Sequence, residues 1–164
     1  MSMIGYLLRV SFNEFEAYLN DSSLLESKID TAVENEDPNL IDIDKSWDGI
    51  NFLLTGDIVG GSDHPLGKVL FSMQYFDENQ DLGYGPGNYV SPSQVKELNE
   101  EISKLSIDDI SKRYDSKKMM DLELYPNVWQ ENDMLSYLTE NFKTVQEFYS
   151  LAAKQDQAII TFLG

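Results

Sequence analysis

A chain of 164 residues, 41% hydrophobic and 12% aromatic, can bury a core without covalent staples, and its length predicts one domain over 1–164. Its 29 acids against 12 bases give a formal net charge of −17, which disfavours nucleic acid and anionic membranes and favours a basic protein partner. With no cysteine and one histidine, disulfides, thiolate nucleophiles, iron–sulfur clusters and Cys-based zinc sites are excluded; no metal and no cofactor is expected.

In chain order, "MIGYLLRV" at 3–10 is a compact apolar run with aromatic and β-branched members, the pattern of a buried strand. It is too short for a secretory signal core, and nowhere does the chain approach the ~18 apolar residues of a membrane span. A cytoplasmic protein is expected. Ser11 and Glu14 form a capping-box pattern, opening a helix over 12–20 with Phe12, Phe15 and Leu19 inward. A second helix, 23–34, places Leu25, Ile29 and Val33 on one stripe before Pro38 breaks the chain.

The stretch "DIDKSWDGINFLLTG" at 42–56 is the densest in functional residue types. On a helix over 42–55, Ile43, Trp47, Ile50 and Leu54 share one face at offsets of four, three and four. Asp44, Asp48, Asn51 and Thr55 repeat those offsets one position on, forming a polar stripe about 100° away. Asp44 suits the N-cap or first turn, and Gly56 suits the C-cap. Trp47 is expected to anchor the core, with a partner for its ring N–H. The stripe could instead carry function: Asp44 and Asp48 lie one turn apart, and Thr55 is placed to orient a ligand.

Residues 56–63 are loop by glycine content, and a short helix is expected from Pro65. His64, just before it, suits a turn or cap better than a triad built with its neighbours Ser62 and Asp63. Residues 77–89, with "GYGPG" at 83–87, read as a turn region. That glycine run lacks a Walker lysine and a flanking strand and helix, so it is expected to present Tyr84 and Tyr89 and not to cradle phosphate. Ser91, Pro92 and Gln94 start a helix over 92–104 with Val95, Leu98, Ile102 and Leu105 inward, and Ser106 opens another short one. From 132 to 155 runs one apolar stripe, Leu135, Leu138, Phe142, Val145, Tyr149 and Ala152, with 141–144 a point where one helix could become two. "QAIITFLG" at 157–164 reads as a buried strand able to pair with 3–10.

The stretches "MIGY", "IDKSWDGINFLLTG", "HPLG", "DLGYGPGNYVSPSQV", "LYPNVW", "YLTENF" and "EFYSLAA" cover nearly the whole chain in order, and together they resemble the YfbM-like family of small bacterial proteins, a domain family of unknown function. The resemblance implies a three-layer α/β fold; with the strands read from the apolar runs 3–10 and 157–163 the expectation is an α/β or α+β domain with a mixed sheet and several helices. It implies bacterial origin and no established activity. In the family pattern histidine often stands where this chain has Asp48 and Asn51, and arginine where it has Asn88. Their absence removes the imidazoles that general acid–base work favours.

Two readings follow. The first is a non-catalytic acidic domain that binds a basic protein, an immunity-type role being one version. The alternative is a small-ligand binder or hydrolase-like enzyme with a pocket at helix 42–56 and loop 83–89. Its candidate lining is Asp44, Trp47, Asp48, Asn51, Thr55, Tyr84, Tyr89 and Tyr125, and the rings of Phe52 and Trp129 could join it.

Overall fold

The apolar runs near the two ends of the sequence meet as neighbours at the centre of one sheet. The structure, a computed structural model, describes residues 2–164. Among them the chain runs β1 (Gly5–Val10), α1 (Phe12–Asn20), α2 (Ser23–Glu34), β2 (Leu40–Asp42), α3 (Trp47–Thr55), a 3-10 turn (Pro65–Val69) and β3 (Asn88–Val90). It continues through α4 (Pro92–Ile102), α5 (Ile107–Ser111), α6 (Ser116–Asp121), α7 (Met134–Lys154) and β4 (Ala158–Leu163). Helices and one sheet place it in the α/β or α+β class, as expected.

The strand order is β2-β1-β4-β3, and every pairing is antiparallel. The expected mixed sheet is therefore corrected. Each helical excursion returns the chain to the sheet from the end at which the neighbouring strand leaves, so no parallel pair forms. β1 and β4 pair over their full length, from Gly5 opposite Leu163 to Val10 opposite Ala158. Because side chains alternate across a strand, consecutive residues feed two different cores. Leu7 and Ile159 join α3, α4 and α7 on one face; Leu8, Val10, Ala158 and Ile160 join Phe15, Tyr18 and Leu25 of α1 and α2 on the other.

Local signals fixed most helix starts. Ser11, Ser91 and Ser106 each close a reciprocal capping box, with Glu14, Gln94 and Asp109 respectively. Gly56 ends α3 in the left-handed conformation, φ 77°, as the C-cap. α7 runs unbroken through 141–144. Four expectations need correction. Residues 40–42 are strand and 43–46 a turn, so α3 begins at Trp47, and Asp44 lies outside the helix at φ 51°. The end of the turn-rich stretch is β3, held by its bonds to β4. α6 appears where no element was expected. Finally, α1 turns Phe15 and Tyr18 inward and leaves Phe12 and Leu19 exposed, while Val33 of α2 is exposed and Ala32 buried in its place.

α3 is the most enclosed helix, with seven of its nine residues buried. Gly49 sits where α3 meets α7 and the 124–129 turn. A Cβ there would lie 2.7 Å from both Leu138 Cδ2 and Trp129 Cη2, and both of those side chains are buried. Alanine normally favours a helix over glycine by ~1 kcal/mol. Here the overlap outweighs that gain, and Gly49→Ala is expected to destabilise the fold by about 1–3 kcal/mol. Urea unfolding of the two proteins measures it; an unchanged or raised midpoint would contradict this packing.

Candidate functional site

The polar stripe of the α3 region is not a solvated edge. Its members divide between two places, one at each end of the helix. At the N-terminal end, the Tyr137 hydroxyl donates to Asp44 Oδ2 at 2.6 Å and accepts the Lys45 backbone N–H at 2.9 Å. Asp44 also gives its carbonyl to the Gly5 N–H, at 3.0 Å, which ties the turn to β1. Asp48, in the first turn, accepts the backbone N–H of Tyr125 at 2.9 Å. Tyr125 in turn lies flat on Trp47, with ring centroids 5.3 Å apart and planes 17° from parallel, and its hydroxyl accepts the Met3 N–H. The Trp47 ring N–H finds its expected partner in the Met3 carbonyl, at 2.9 Å, and Phe71 meets the ring edge-on. This assembly ties the 44–48 segment to four remote ones, at Met3–Gly5, Phe71, Tyr125 and Tyr137. Each carboxylate uses one oxygen, Oδ2, to hold a hydroxyl or backbone group of a remote segment.

Burial raises the Asp48 carboxyl above its ordinary value, and the Tyr125 N–H only partly offsets it. Burial, and then the bond to Asp44, likewise raise the Tyr137 hydroxyl, so it stays a neutral donor. The raised carboxyl is a cost of enclosing this latch.

At the C-terminal end, Asn51 and Thr55 line a cleft of about 280 Å3 with Ser62, Asp63, His64 and Lys68. Here too the α3 groups are engaged. Thr55 Oγ1 donates to the Asn51 carbonyl at 2.9 Å and accepts the Asp57 N–H at 3.2 Å; the Asn51 amide reaches the Asp57 carbonyl at 3.4 Å. His64 Nδ1 accepts the Leu66 N–H at 3.1 Å and caps the 3-10 turn, while Ser62 Oγ accepts the His64 backbone N–H. With those atoms committed, the three neighbours do not form a triad. Among the described residues, the imidazole Nε2 and the Lys68 ammonium are donors at the cleft with no hydrogen-bond or ion-pair partner.

Of the eight candidate lining residues, Asp44, Trp47, Asp48 and Tyr125 come together, and Asn51 and Thr55 meet at the separate cleft. Tyr84 and Tyr89 line neither. Tyr89 packs against Phe76 and Phe15 on the opposite face of the sheet, at centroid distances of 4.7 and 5.2 Å. Tyr84 is exposed, and its backbone N–H bonds the Leu163 carbonyl at 3.0 Å. Gly83 beside it has φ 138°, and a Cβ there would lie 2.8 Å from Gly164 Cα. The glycine run thus closes over the end of β4, and Asp81 Oδ1 takes the Gly83 N–H at 2.9 Å. Those amides are not free to bind phosphate. Phe52 and Trp129 are buried in the core. Among the described residues, no group of three or more His, Asp or Glu side chains is arranged to hold a metal ion, and no helix is long and apolar enough to cross a membrane.

Sequence spacing missed Tyr137, Lys68 and Met73, the last of which lines the cleft at φ 60° with its N–H held by Asn88 Oδ1. No local pattern distinguishes these three from ordinary helix and loop residues.

A family model described as "Domain of unknown function (DUF1877)" matches residues 1–162. Among solved structures, the crystal structure of YfbM from Escherichia coli, a protein of unknown function, is similar at a TM-score of 0.72 and 19% identity, covering 99% of this chain and 100% of that one. At that identity the likeness speaks of the fold alone. No curated protein matches the chain. The family and structural matches bear out the resemblance read from the sequence.

The raised Asp48 carboxyl fixes a pH dependence. Its folded state holds the proton more tightly than the unfolded chain does, so stability falls as pH rises from the unfolded value, ~3.9, through the raised one. Asp48→Asn removes that titration. The difference in melting temperature, variant minus parent, is therefore expected to be more positive at pH 7 than at pH 3. Thermal unfolding at both pH values tests this, and a constant difference would contradict it.

Proposed function

The chain belongs to the family of the domain of unknown function DUF1877, and from that premise we propose that it is a non-catalytic, single-domain protein that binds a basic protein partner in the bacterial cytoplasm. The observation that carries this reading is the unneutralised acid surface. Among the described residues, ion pairs engage the carboxylates of Glu14, Asp37, Glu101, Asp121 and Asp156, and the rest of the 29 acids have no cation in pairing range. A field of that sign gathers cationic surfaces, speeds encounter with them and repels phosphate backbones. An immunity-type role fits: an acidic domain covering the nucleic-acid-binding face of a basic nuclease toxin. The carboxylates best placed for chemistry, Asp44 and Asp48, are tied into structural hydrogen bonds, which favours binding over catalysis.

Affinity purification of the tagged protein from its native host, washed at low and then high salt, tests the proposal. A basic protein retained at low salt and released at high salt is expected, since exposed charge contacts are screened within ~8 Å at physiological ionic strength. Recovery of no basic protein, or of partners indifferent to salt, would count against it.

The cleft beside His64 supports a second reading, a small polar ligand. It combines an uncommitted imidazole nitrogen with Lys68, which makes no ion pair among the described residues. A thermal-shift screen of small carboxylic and phosphoric acids would then find a ligand whose stabilisation is lost in Lys68→Ala. The exposed position of Lys68 leaves the unliganded melting temperature unchanged. Hits that stabilise both proteins equally would place the ligand elsewhere.

A further inference from the structure

A groove of about 350 Å3 runs between the C-terminal end of α2 and β2, the edge strand of the sheet. Val33, Leu40 and Tyr6 give it apolar walls, and Glu36, Asp37 and Asp42 give it an acidic rim; no basic residue lines it. Val33 is 58% exposed, because the helix turns Ala32 and not Val33 into the core. The Tyr6 ring is held flat against Phe162, centroids 5.2 Å apart and planes 15° from parallel, so one wall is fixed before anything binds. Glu36 makes no ion pair among the described residues. Asp37 has only the distant Lys28, at 3.9 Å, while Asp42 Oδ1 accepts the Asp44 N–H.

The helix adds to this charge. α2 ends on Glu34 beside the groove with no basic side chain in its last turn, its final carbonyls being capped by the backbone N–H groups of Asn35, Glu36 and Asp37. An apolar slot between carboxylates and a helix C-terminus matches a side chain pairing of one kind: an aliphatic group beside an ammonium or guanidinium.

We propose that this groove is where the basic partner docks, through a segment presenting a valine- or leucine-sized side chain next to lysine or arginine. The aliphatic group covers Val33 and Leu40, and the cation sits between Glu36 and Asp42 at the end of α2. This rests on the reading of the chain as an acidic protein-binding domain. The rim chemistry argues against a second copy of the same chain, because two such rims would face each other with like charge. Nucleic acid is repelled for the same reason.

The test is an NMR titration of the isotope-labelled protein with two synthetic peptides, one alternating lysine and valine, the other alternating lysine and glycine. Shifts centred on 32–42 are expected, with the valine peptide bound about tenfold more tightly than the glycine peptide, the gain from burying one aliphatic side chain. Val33→Lys and Glu36→Lys, both at exposed positions, are each expected to weaken the valine peptide about tenfold while leaving the melting temperature near the parent's. Shifts spread over the acids of α4 and α7 would overturn the proposal. So would equal binding of the two peptides, or sedimentation showing a dimer of the parent that Val33→Lys dissolves. A native basic partner that still binds Val33→Lys in a salt-sensitive way would sink the groove and leave the protein-binding reading standing. If neither partner nor peptide binds, both fall.

Discussion

Six antiparallel residue pairs, from Gly5 with Leu163 to Val10 with Ala158, join β1 to β4 at the middle of the sheet. Both strands are buried along almost their whole length, so each one feeds a core above and a core below. Once that pair occupies the centre, only two positions remain, one on each outer edge. They are filled by β2 and β3, three residues each. Short edge strands limit pairing with other chains. They also leave room beside β2, where α2 stops and its last turn stays open to solvent.

The α3 region depends on the same centre. The Asp44 carbonyl takes the Gly5 N–H, and the Gly5 carbonyl takes the Ile43 N–H, so the entrance to α3 is fixed by β1. From there Trp47 reaches back to Met3 and outward to Tyr125. What looks in one dimension like a ligand-binding stripe is, in three, a set of connectors. Asp44, Asp48, Asn51 and Thr55 each satisfy backbone or hydroxyl groups that enclosure would otherwise leave unpaired, and an unpaired buried polar group costs about 1–3 kcal/mol.

How much of this the sequence disclosed depends on the range of the interaction. Capping serines and the C-capping Gly56 act within a few residues, and the starts of α1, α4 and α5 and the end of α3 were legible for that reason. The apolar face of Ile43, Trp47, Ile50 and Leu54 was legible too, since all four are buried although Ile43 precedes the helix. β2 was not, because three residues carry no period and take their shape from β1, over thirty positions earlier. α1 misled because Phe12, Phe15, Tyr18 and Leu19 offer two apolar stripes, and only the sheet decides which is covered. The division of the candidate site between separate places was not legible for a related reason. Asp48 meets Tyr125 across 77 positions and Asp44 meets Tyr137 across 93, and no local spacing encodes either contact.

Having the central strands contributed by residues 5–10 and 158–163 also sets when the molecule can form. As the ribosome extends the chain, the first strand leaves the exit tunnel well before its neighbour, which follows only after every helix between them. Until then Leu8 and Val10 have helices α1 and α2 to rest on, yet lack the strand that completes their layer. Closing a loop of this span carries an entropic cost that local contacts cannot supply in advance. Until β4 emerges the nascent protein therefore carries sticky strand edges unsatisfied, a period in which its dense negative charge helps to keep neighbouring chains on a polysome apart.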